Sequence, residues 1–466
     1  MLRKQMALLT ATPLVIAMLI GPAALMAGTN DSGLSPIEQL GKNIFFDMKL
    51  SIRQNQACAS CHDPDVGWTG PKTKFNAHGA VYEGSIRGEF GNRKPPSSAY
   101  ASLAPIFYAD FGNRLLEPTD SDLAAHPLFV CGNFWDGRAT GWELGNPAAD
   151  QAQGPFTNPV EQALPDTSCV VYRVCEGTYG DLFDEVWNPN FCQVNWPKNM
   201  NRLCRQTTWP DPDPLAKQRQ KIEQAYDRVA LSIAAFEGSQ ESNAFTSKLD
   251  AHRAGLVEFT AQEELGREIF TGRGMCSNCH VGTPGPGAAP PLFTDFTYDN
   301  LGVPKNPENP ATLADPDYVD IGLAGFLENV SGFVDYADEN KGKQKVPTLR
   351  NVGLGSCEAQ HDKKCIIKAY MHNGYFKSLK QVVHFYNTRD VKDPCPGDYT
   401  AAEAMAADCW PAPEVDLNVN ESELGNLGLT EEEEDALVAF MLTMSDGYLD
   451  NTDSDDDGGH RHNGRD

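Results

Sequence analysis

Two segments of the chain share one pattern of apolar and polar positions. The first runs Leu-Ser-Pro-Ile-Glu-Gln-Leu-Gly-Lys-Asn-Ile-Phe over residues 34–45, and the second runs Phe-Thr-Ala-Gln-Glu-Glu-Leu-Gly-Arg-Glu-Ile-Phe over residues 259–270. In each, a hydroxyl residue with glutamate three positions later predicts a capped helix start, and apolar residues then recur at helical spacing. Each predicted helix leads into Cys-x-x-Cys-His. The pair indicates an internal duplication, with a boundary near residues 240–252.

Elsewhere, the apolar pattern predicts two more helices and few strands. Residues 222–236 follow an amphipathic helical pattern, and Thr430 caps a predicted helix over residues 431–444. Residues 165–213 are rich in Cys, Trp, Pro and Asn, which predicts an irregular insertion stapled by disulfides. We therefore expect a mainly α fold with long irregular loops.

The chain is strongly acidic. Its 466 residues include 38 Lys and Arg against 64 Asp and Glu, a formal net charge of -26. Because such a surface repels phosphate backbones, nucleic acid is not expected as a partner. Residues 450–466 are polar and rich in Asp, and they are predicted to form a flexible acidic tail.

The first 27 residues predict export. Arg3 and Lys4 precede a mostly apolar run over residues 6–26, with small residues at its end where a signal peptidase can cut. A retained membrane anchor is the alternative, and Pro13 and Pro22 weaken a spanning helix. No later segment approaches the roughly 20 apolar residues of a membrane span, so no transmembrane helix is expected in the mature chain.

Each repeat carries the pentapeptide of covalent haem attachment. Two thiols three residues apart can each form a thioether with a haem vinyl group, and the adjacent imidazole then reaches the iron. A structural zinc site or a redox dithiol is the alternative, but the same motif after the same helix twice favours haem. We expect two covalently bound c-type haems, in two cytochrome c-like domains of residues 28–244 and 245–449. The attachment residues are Cys58, Cys61, His62, Cys276, Cys279 and His280.

Nine of the 13 cysteines lie outside the two haem motifs. Short separations predict disulfides between Cys357 and Cys365 and between Cys395 and Cys409. The sequence alone does not fix the other pairings. Because nine is odd, one thiol stays outside the disulfides or bridges to another chain.

Five further segments accompany the haem motifs. They are Phe134-Trp-Asp-Gly-Arg138, Gln151-Ala-Gln-Gly-Pro155, Asn158-Pro-Val-Glu161, Lys345-Val-Pro-Thr-Leu-Arg-Asn351 and Tyr370-Met-His-Asn-Gly374. Together with the haem motifs, and in this order, they resemble the dihaem cytochrome c peroxidase superfamily over residues 34–444. That superfamily also contains the MauG and MbnH enzymes, which oxidise residues on partner proteins.

The resemblance implies roles for residues around the first haem. Trp135 corresponds to the tryptophan between the two haems and would relay electrons. Glu161 corresponds to the distal acid/base that moves a proton between the peroxide oxygens, and Gln151 and Pro155 would line the same pocket. His78 lies where the bacterial peroxidases carry a loop histidine that reversibly closes this haem, and a surface loop residue is the alternative interpretation.

The second haem has the most discriminating feature. Where the bacterial cytochrome c peroxidases have an axial methionine, this chain has Tyr386, which resembles MauG and MbnH. A hard phenolate stabilises ferric iron and lowers the reduction potential relative to a thioether. The alternatives are that Tyr386 only packs and that Met371 or His384 binds the iron.

The resemblance also implies a calcium ion between the haems. Residues 91–97, Gly-Asn-Arg-Lys-Pro-Pro-Ser, depart from the family's common Arg-Asn-x-Pro form. Asn92 is a candidate ligand, and backbone carbonyls near Ile367 and Ala369 would supply much of the remaining coordination.

The family resemblance implies an exported enzyme that uses hydrogen peroxide to form high-valent haem. In the MauG and MbnH branch, the oxidising equivalents are withdrawn by long-range electron transfer from a partner, here expected to be an exported protein oxidised at Trp or Tyr. One alternative is a cytochrome c peroxidase supplied by a small cytochrome or copper protein, and another is a non-catalytic dihaem electron carrier. The expected location is the periplasm of a Gram-negative bacterium, or beyond it at the cell surface.

Overall fold

The computed structural model describes residues 33–111, 126–359 and 365–449 of the chain. The predicted signal peptide, residues 1–27, and the predicted acidic tail, residues 450–466, lie outside the described residues. Across the described part, no helix is both long and apolar enough to cross a membrane.

Helices joined by long loops make up most of the regular structure of the described residues. The α-helices are α1 (Pro36–Phe45), α2 (Thr73–Asn76), α3 (Pro147–Thr157), α4 (Thr167–Cys175), α5 (Gly180–Val186), α6 (Met200–Leu203), α7 (Arg219–Glu237), α8 (Lys248–Arg253), α9 (Ala261–Thr271), α10 (Pro310–Ala314), α11 (Leu323–Leu327), α12 (Leu379–Thr388), α13 (Ala401–Ala406) and α14 (Glu431–Leu442). The strands form three short pairs: antiparallel β1 (Tyr108–Asp110) with β2 (Leu128–Val130), antiparallel β3 (Tyr298–Asp299) with β4 (Gln344–Lys345), and parallel β5 (Asp393–Pro394) with β6 (Cys409–Trp410). Strands this short fix loops in place but build no sheet layer.

The four helices predicted from the apolar pattern are confirmed as α1, α7, α9 and α14. At the start of α1, Glu38 accepts a hydrogen bond from the Ser35 backbone N–H at 2.7 Å. At the start of α9, Glu263 accepts one from the Thr260 backbone N–H at 2.7 Å. These bonds satisfy N–H groups that would otherwise lack a partner at the helix start.

The two halves pack their first helices in the same way, α1 on α7 and α9 on α14. A Cβ added at Gly41 would lie 1.9 Å from the carbonyl oxygen of Ser232, and one added at Gly266 would lie 1.9 Å from that of Ala436. Both glycines follow the same leucine of the repeated segment. Matched glycines that bring helix backbones into contact support the predicted internal duplication.

We expect Gly266→Ala to destabilise the second half by about 1–3 kcal/mol, the usual cost of an extra methyl group in a packed contact. The obstacle is the backbone carbonyl of Ala436, which no side-chain rotation can move away. Thermal unfolding of the haem-loaded variant measures the loss. Gly397→Ala is the control because a Cβ there meets no atom within 4 Å. Equal unfolding midpoints for the two variants would contradict the packing argument.

Apolar side chains form two main cores. One draws on residues 34–236 together with Leu292, and the other draws on residues 249–444. Cys58 packs against the first core and Cys276 against the second. Each haem motif therefore borders its own core.

Four disulfides pair eight of the nine cysteines outside the haem motifs. The predicted bonds Cys357–Cys365 and Cys395–Cys409 are confirmed. Two more bonds, Cys169–Cys204 and Cys175–Cys192, staple the insertion over residues 165–213. Cys131 is buried and lies outside the four bonds.

The stapled insertion is more regular than the sequence predicted, because α4, α5 and α6 lie within it. On α4, Cys169, Val170 and Val174 are fully buried in the first core. The high content of turn-forming residues between these helices concealed their short apolar faces.

Candidate active site

The first Cys-x-x-Cys-His motif forms a tight 3₁₀ turn at Cys58–Ser60. The backbone N–H of His62 donates to the Cys58 carbonyl at 3.0 Å, which places the imidazole on the same turn as the thiols. Its Nδ1 lies 3.2 Å from the Trp68 carbonyl, so Nδ1 carries the proton and Nε2 keeps its lone pair. Burial lowers the pKa of His62 to about 4, so the imidazole is neutral and suited to bind a metal.

The second motif repeats this arrangement at Cys276–Asn278. The backbone N–H of His280 donates to the Cys276 carbonyl at 2.9 Å, and His280 Nδ1 lies 2.8 Å from the Phe293 carbonyl. Burial lowers the pKa of His280, so this imidazole is neutral as well. Each half of the chain therefore presents thiol and imidazole groups to its own cavity.

Both cavities suit a large apolar group with a metal at its centre. Val81 and Leu292 line the first cavity, and Phe270, Leu349 and Met441 line the second. Cys276 and Cys279 both line the second cavity, whereas Cys61 lines the first and Cys58, on the same turn, packs against the first core. Apolar walls, a neutral imidazole as iron ligand and two thiols for covalent attachment are what holds a c-type haem. The residues of both sites therefore fit this group.

Trp135 lies between the two cavities and lines both of them. Its indole Nε1 donates to the Lys94 carbonyl at 2.9 Å, and its own carbonyl accepts from the Lys345 backbone N–H at 2.8 Å. The side chain is only 8% exposed. An indole that is fixed and buried in the wall shared by the two cavities is placed to relay electrons between two redox centres.

The first cavity contains the predicted proton-transfer residues. Gln151 from α3 and Glu161 from the loop after it both line the cavity that contains His62. Asn158 Nδ2 donates to Glu161 Oε2 at 2.7 Å, which fixes one carboxylate oxygen. Burial raises the pKa of Glu161, against the Asn158 bond and the Arg138 charge. A buried carboxyl with a raised pKa binds a proton more readily than an exposed one, which suits a group that accepts and returns a proton.

Two residues predicted for the first site lie elsewhere. Pro155 is within α3 and is not among the described residues that line the cavity; its carbonyl accepts from the Gln162 backbone N–H at 3.1 Å. His78 is exposed, and its Nδ1 lies 2.8 Å from Glu308 Oε1, outside the cavity that it would close. The Lys377 ammonium also donates to the His78 carbonyl and holds the loop there.

Tyr386 lies in the second cavity. α12 directs one face into it, which carries Leu379, Val382, Val383 and Tyr386. His280 also lines this cavity, so Tyr386 and His280 belong to one chamber. Burial raises the pKa of Tyr386 well above its usual value, so the phenol keeps its proton unless a cation compensates. A ferric iron is such a cation.

Of the two alternative ligands, one shares this cavity. Met371 lines it, whereas His384 is not among the described residues that do so. His384 Nδ1 lies 2.9 Å from Glu434 Oε1, which holds the ring against α14. Tyr386 and Met371 therefore remain as candidate iron ligands.

Sequence reasoning missed Arg93 and Glu237, which line the first cavity, and Asp320, which lines the second. Arg93 bonds to both carboxylate oxygens of Asp320 at 2.6 Å and to Asp136 Oδ2 at 2.6 Å. Burial opposes the charge on Asp320, but the Arg93 bonds prevail and hold its pKa well below the usual range. Glu237 lines the first cavity, and burial raises its pKa to about 8. The sequence around these residues does not indicate their pairing, because the partners of Arg93 lie 43 and 227 positions away in the chain.

Two of the calcium ligands named from the sequence make hydrogen bonds to other side chains. Asn92 Nδ2 donates to the Tyr318 hydroxyl at 2.5 Å, and the Asn92 carbonyl accepts from Asn309 Nδ2 at 2.9 Å. The Ile367 carbonyl accepts from Asn76 Nδ2 at 2.9 Å. Calcium takes six to eight oxygen ligands around one point. An amide that donates through its nitrogen keeps its oxygen, and a carbonyl that accepts one hydrogen bond keeps a second lone pair, so calcium at this position stays a prediction.

Two haem-attachment sites that share a tryptophan wall define a dihaem c-type redox protein. A family model described as di-haem cytochrome c peroxidase matches residues 35–257. The methylamine utilization protein MauG of Paracoccus denitrificans (strain Pd 1222) is 31% identical over 93% of this chain and 94% of its own length. The cytochrome c551 peroxidase of Nitrosomonas europaea is 26% identical over 74% of this chain and 71% of its own. The chain belongs to the di-haem cytochrome c peroxidase family and is an oxidoreductase with two c-type haems.

Solved structures share the fold. The diheme peroxidase BthA from Burkholderia thailandensis E264 is 25% identical, with a TM-score of 0.64 over 92% of this chain and 90% of its own. A MauG-like protein associated with microbial copper homeostasis is 18% identical, with a TM-score of 0.54 over 94% of this chain and 97% of its own. At that identity the second comparison concerns the fold alone.

Proposed function

We propose that this protein uses hydrogen peroxide to oxidise Trp or Tyr residues of an exported partner protein by long-range electron transfer, in the periplasm or at the cell surface of a Gram-negative bacterium. The observation that carries the proposal is the position of Tyr386, whose phenol shares the second cavity with His280. A phenolate ligand favours an oxidised iron that stores oxidising equivalents over one that accepts electrons from ordinary cytochromes. The haems, when bound, supply the reduction of peroxide and the storage of two oxidising equivalents.

Proton transfer in the first cavity is assigned to Glu161. Its carboxylate accepts a proton from one oxygen of hydrogen peroxide and returns it to the other, which leaves as water. Asn158, 2.7 Å from Glu161 Oε2, holds the carboxylate in one orientation during both transfers. Gln151 lines the same cavity and offers an amide donor to a bound oxygen. Overall, peroxide takes up two electrons and two protons to give two waters, and the partner supplies the electrons.

Replacing Trp135 with phenylalanine should separate the two cavities electronically. We expect peroxide to react at the first site as before, while oxidation at the second site slows by about tenfold or more, the effect of a barrier raised by 1.4 kcal/mol. Rapid-scan absorption and EPR after peroxide addition distinguish the two sites.

Trp142→Phe is the matched control for this variant. Trp142 also donates its indole N–H to a carbonyl, that of Phe107, at 2.9 Å. It is 49% exposed and is not among the described residues that line either cavity. Equal slowing in both variants would mean that Trp135 is only a structural hydrogen-bond donor.

The second candidate function is that of a cytochrome c peroxidase supplied by a small cytochrome or copper protein. It is favoured by Met371, which lines the second cavity and would give a thioether ligand. A thioether ligand raises the reduction potential of the haem, which makes the haem a better acceptor of electrons from such donors.

One experiment separates the two functions. The haem-loaded protein is given hydrogen peroxide together with either a reduced small cytochrome or the exported protein encoded by the adjacent gene. We expect slow oxidation of the cytochrome and oxidised Trp or Tyr in peptides of the neighbouring protein by mass spectrometry. Rapid steady-state oxidation of the cytochrome, with unmodified peptides, would replace the proposal by the second function.

A further inference from the structure

We infer that two carboxylates, those of Asp299 and Glu423, lower the reduction potential of the haem held by the second Cys-x-x-Cys-His motif. Their charge keeps this second haem oxidised, which favours the storage of oxidising equivalents there and in that respect rests on the proposed function. The contacts of the two carboxylates, a comparison with the first half and the charges that line the two cavities lead to this assignment.

The two carboxylates lie beside the second attachment thiol of that motif. One oxygen of Asp299, one oxygen of Glu423 and the sulfur of Cys279 all lie within 4.8 Å of one another. Glu423 Oε2 is 4.0 Å from Cys279 Sγ, and Glu423 Oε1 accepts from Asn278 Nδ2 at 2.9 Å. Because Asn278 stands within the motif, Glu423 is bound to the turn that carries the thiols.

A single neutral amide holds the two carboxylates together. Asn420 Nδ2 donates to Asp299 Oδ2 at 2.6 Å and to Glu423 Oε2 at 2.7 Å. The amide nitrogen has a proton for each carboxylate but brings no formal positive charge. Within the described ranges neither carboxylate forms an ion pair, whereas Asp320, in the same cavity, is paired with Arg93. The negative charges of Asp299 and Glu423 are therefore not neutralised by direct contact with a cation.

The first half has a neutral group at the matching place. There the second attachment thiol is Cys61, and its neighbour is the side-chain amide of Gln56, whose Nε2 lies 3.8 Å from Cys61 Sγ. The two motifs share their 3₁₀ turn and the contact between histidine Nδ1 and a backbone carbonyl. The two halves therefore differ in charge at a place where they share the local backbone structure.

The charged side chains that line the two cavities differ in the same sense. Cationic side chains outnumber carboxylates in the first cavity, and carboxylates outnumber cationic side chains in the second. The first is lined by Arg93, Lys94, Arg138 and Lys345 with Glu161 and Glu237. The second is lined by Asp299, Asp320, Glu414 and Glu423 with Lys345. Since Lys345 lines both, the difference comes from the other residues.

A carboxylate beside a haem opposes its reduction. Reduction adds one electron to ferric haem, and a nearby negative charge repels that electron most where burial weakens the screening by water. Asp299 and Glu423 are both half-buried. The oxygen ligand proposed at Tyr386 lowers the potential as well, so the two carboxylates and the ligand act in the same direction.

Spectroelectrochemistry of the haem-loaded Glu423→Gln variant tests the role of the charge. Glutamine keeps the length of the side chain and can still accept a hydrogen bond from Asn278. We expect the potential of the second haem to rise by the equivalent of about tenfold in the equilibrium constant for reduction, about 59 mV for one electron. The potential of the first haem should change less. Asp299→Asn should shift the second haem in the same direction.

The conditions and controls isolate the charge from the shape of the loop. Burial raises the pKa of Asp299, so the potentials are measured at about pH 8, well above the ordinary range for carboxyl groups. Glu423→Asp keeps the charge and should keep the potential. Glu421→Gln removes the same charge from an exposed position of the same loop and should leave the potential unchanged.

Three results would overturn the inference: an unchanged potential in Glu423→Gln, an equal rise in Glu423→Asp, or an equal rise in Glu421→Gln. These three variants decide the question even where Asp299→Asn fails to load haem. The potentials are measured without a partner protein. Shifted potentials in a protein that oxidises no partner would therefore count against the proposed function alone, and unchanged potentials in one that does would count against the carboxylates alone.

Discussion

Glu161→Gln should lower the rate of peroxide reduction by about 10²–10⁴-fold, the usual contribution of a positioned acid/base. Glutamine keeps the length of the side chain and can still accept the hydrogen bond from Asn158, which is 2.7 Å long in the wild-type protein. It cannot accept a proton from peroxide. Stopped-flow absorption of the haem-loaded variant mixed with hydrogen peroxide measures the rate of this step.

Glu237→Gln is the matched control for Glu161→Gln. Glu237 lines the same cavity, and burial raises its pKa to about 8, so both variants remove a protonatable group from one chamber. We expect the Glu237 variant to lose less than about tenfold in rate. A larger loss at Glu237 than at Glu161 would move the proton-transfer role to Glu237.

The pH dependence of the same rate gives a second check on Glu161. Only the deprotonated carboxylate can accept a proton from peroxide, so the rate should rise as pH increases through the pKa of Glu161. Because burial raises that pKa, the rise should lie at higher pH than for an exposed glutamate. This rise of the rate with pH should be absent in Glu161→Gln. If the rise persists in that variant, it belongs to another titrating group.

Features that depend on neighbours in sequence were predictable. The Cys-x-x-Cys-His spacing sets thiols and imidazole on one turn whatever the rest of the fold does. Capping boxes at Ser35 and Thr260 define helix starts within three residues. The confirmed disulfides close separations of only 8 and 14 residues, so the chain itself keeps their cysteines near each other.

Features that depend on contacts between distant segments were not predictable. Gly41 and Gly266 are visible in both repeats, but only packing on α7 and α14 explains them. His384 and Tyr386 were both candidate ligands, and residues two apart on a helix point about 200° apart. The face of α12 that meets the cavity therefore selects Tyr386 and turns His384 toward Glu434.

The same limit applies to the charged groups around the cavities. Lys94 was seen only as a departure from a familiar segment, because its hydrogen-bond partner Thr69 lies 25 residues away. The hydrogen bonds of the predicted calcium ligands have the same origin. Which carbonyls are free to bind an ion depends on amide donors such as Asn76, 291 residues from Ile367. The sequence shows which chemical group stands at each position, but only the fold shows which group it bonds to.

Tyr386→Phe should abolish oxidation of the partner while leaving the first cavity able to react with peroxide. We expect a loss of about 10²-fold or more in the rate of partner oxidation, equivalent to about 2.7 kcal/mol of barrier. The phenyl ring still fills the cavity, so the change isolates the phenol oxygen. EPR of the resting protein should show a changed signal from the second haem. Its reduction potential should rise, because a hard oxygen ligand to ferric iron is lost.

Tyr375→Phe is the control for the loss of a buried hydroxyl. Tyr375 is 1% exposed, and its hydroxyl donates to the Tyr399 carbonyl at 2.8 Å in the same half of the chain. It is not among the described residues that line the second cavity, so its variant should keep the EPR signal and the potential. If Tyr386→Phe also keeps both, Tyr386 only packs and Met371 becomes the ligand. In that case Met371→Leu should change the EPR signal instead, and the result would favour the function of a cytochrome c peroxidase supplied by a small cytochrome or copper protein.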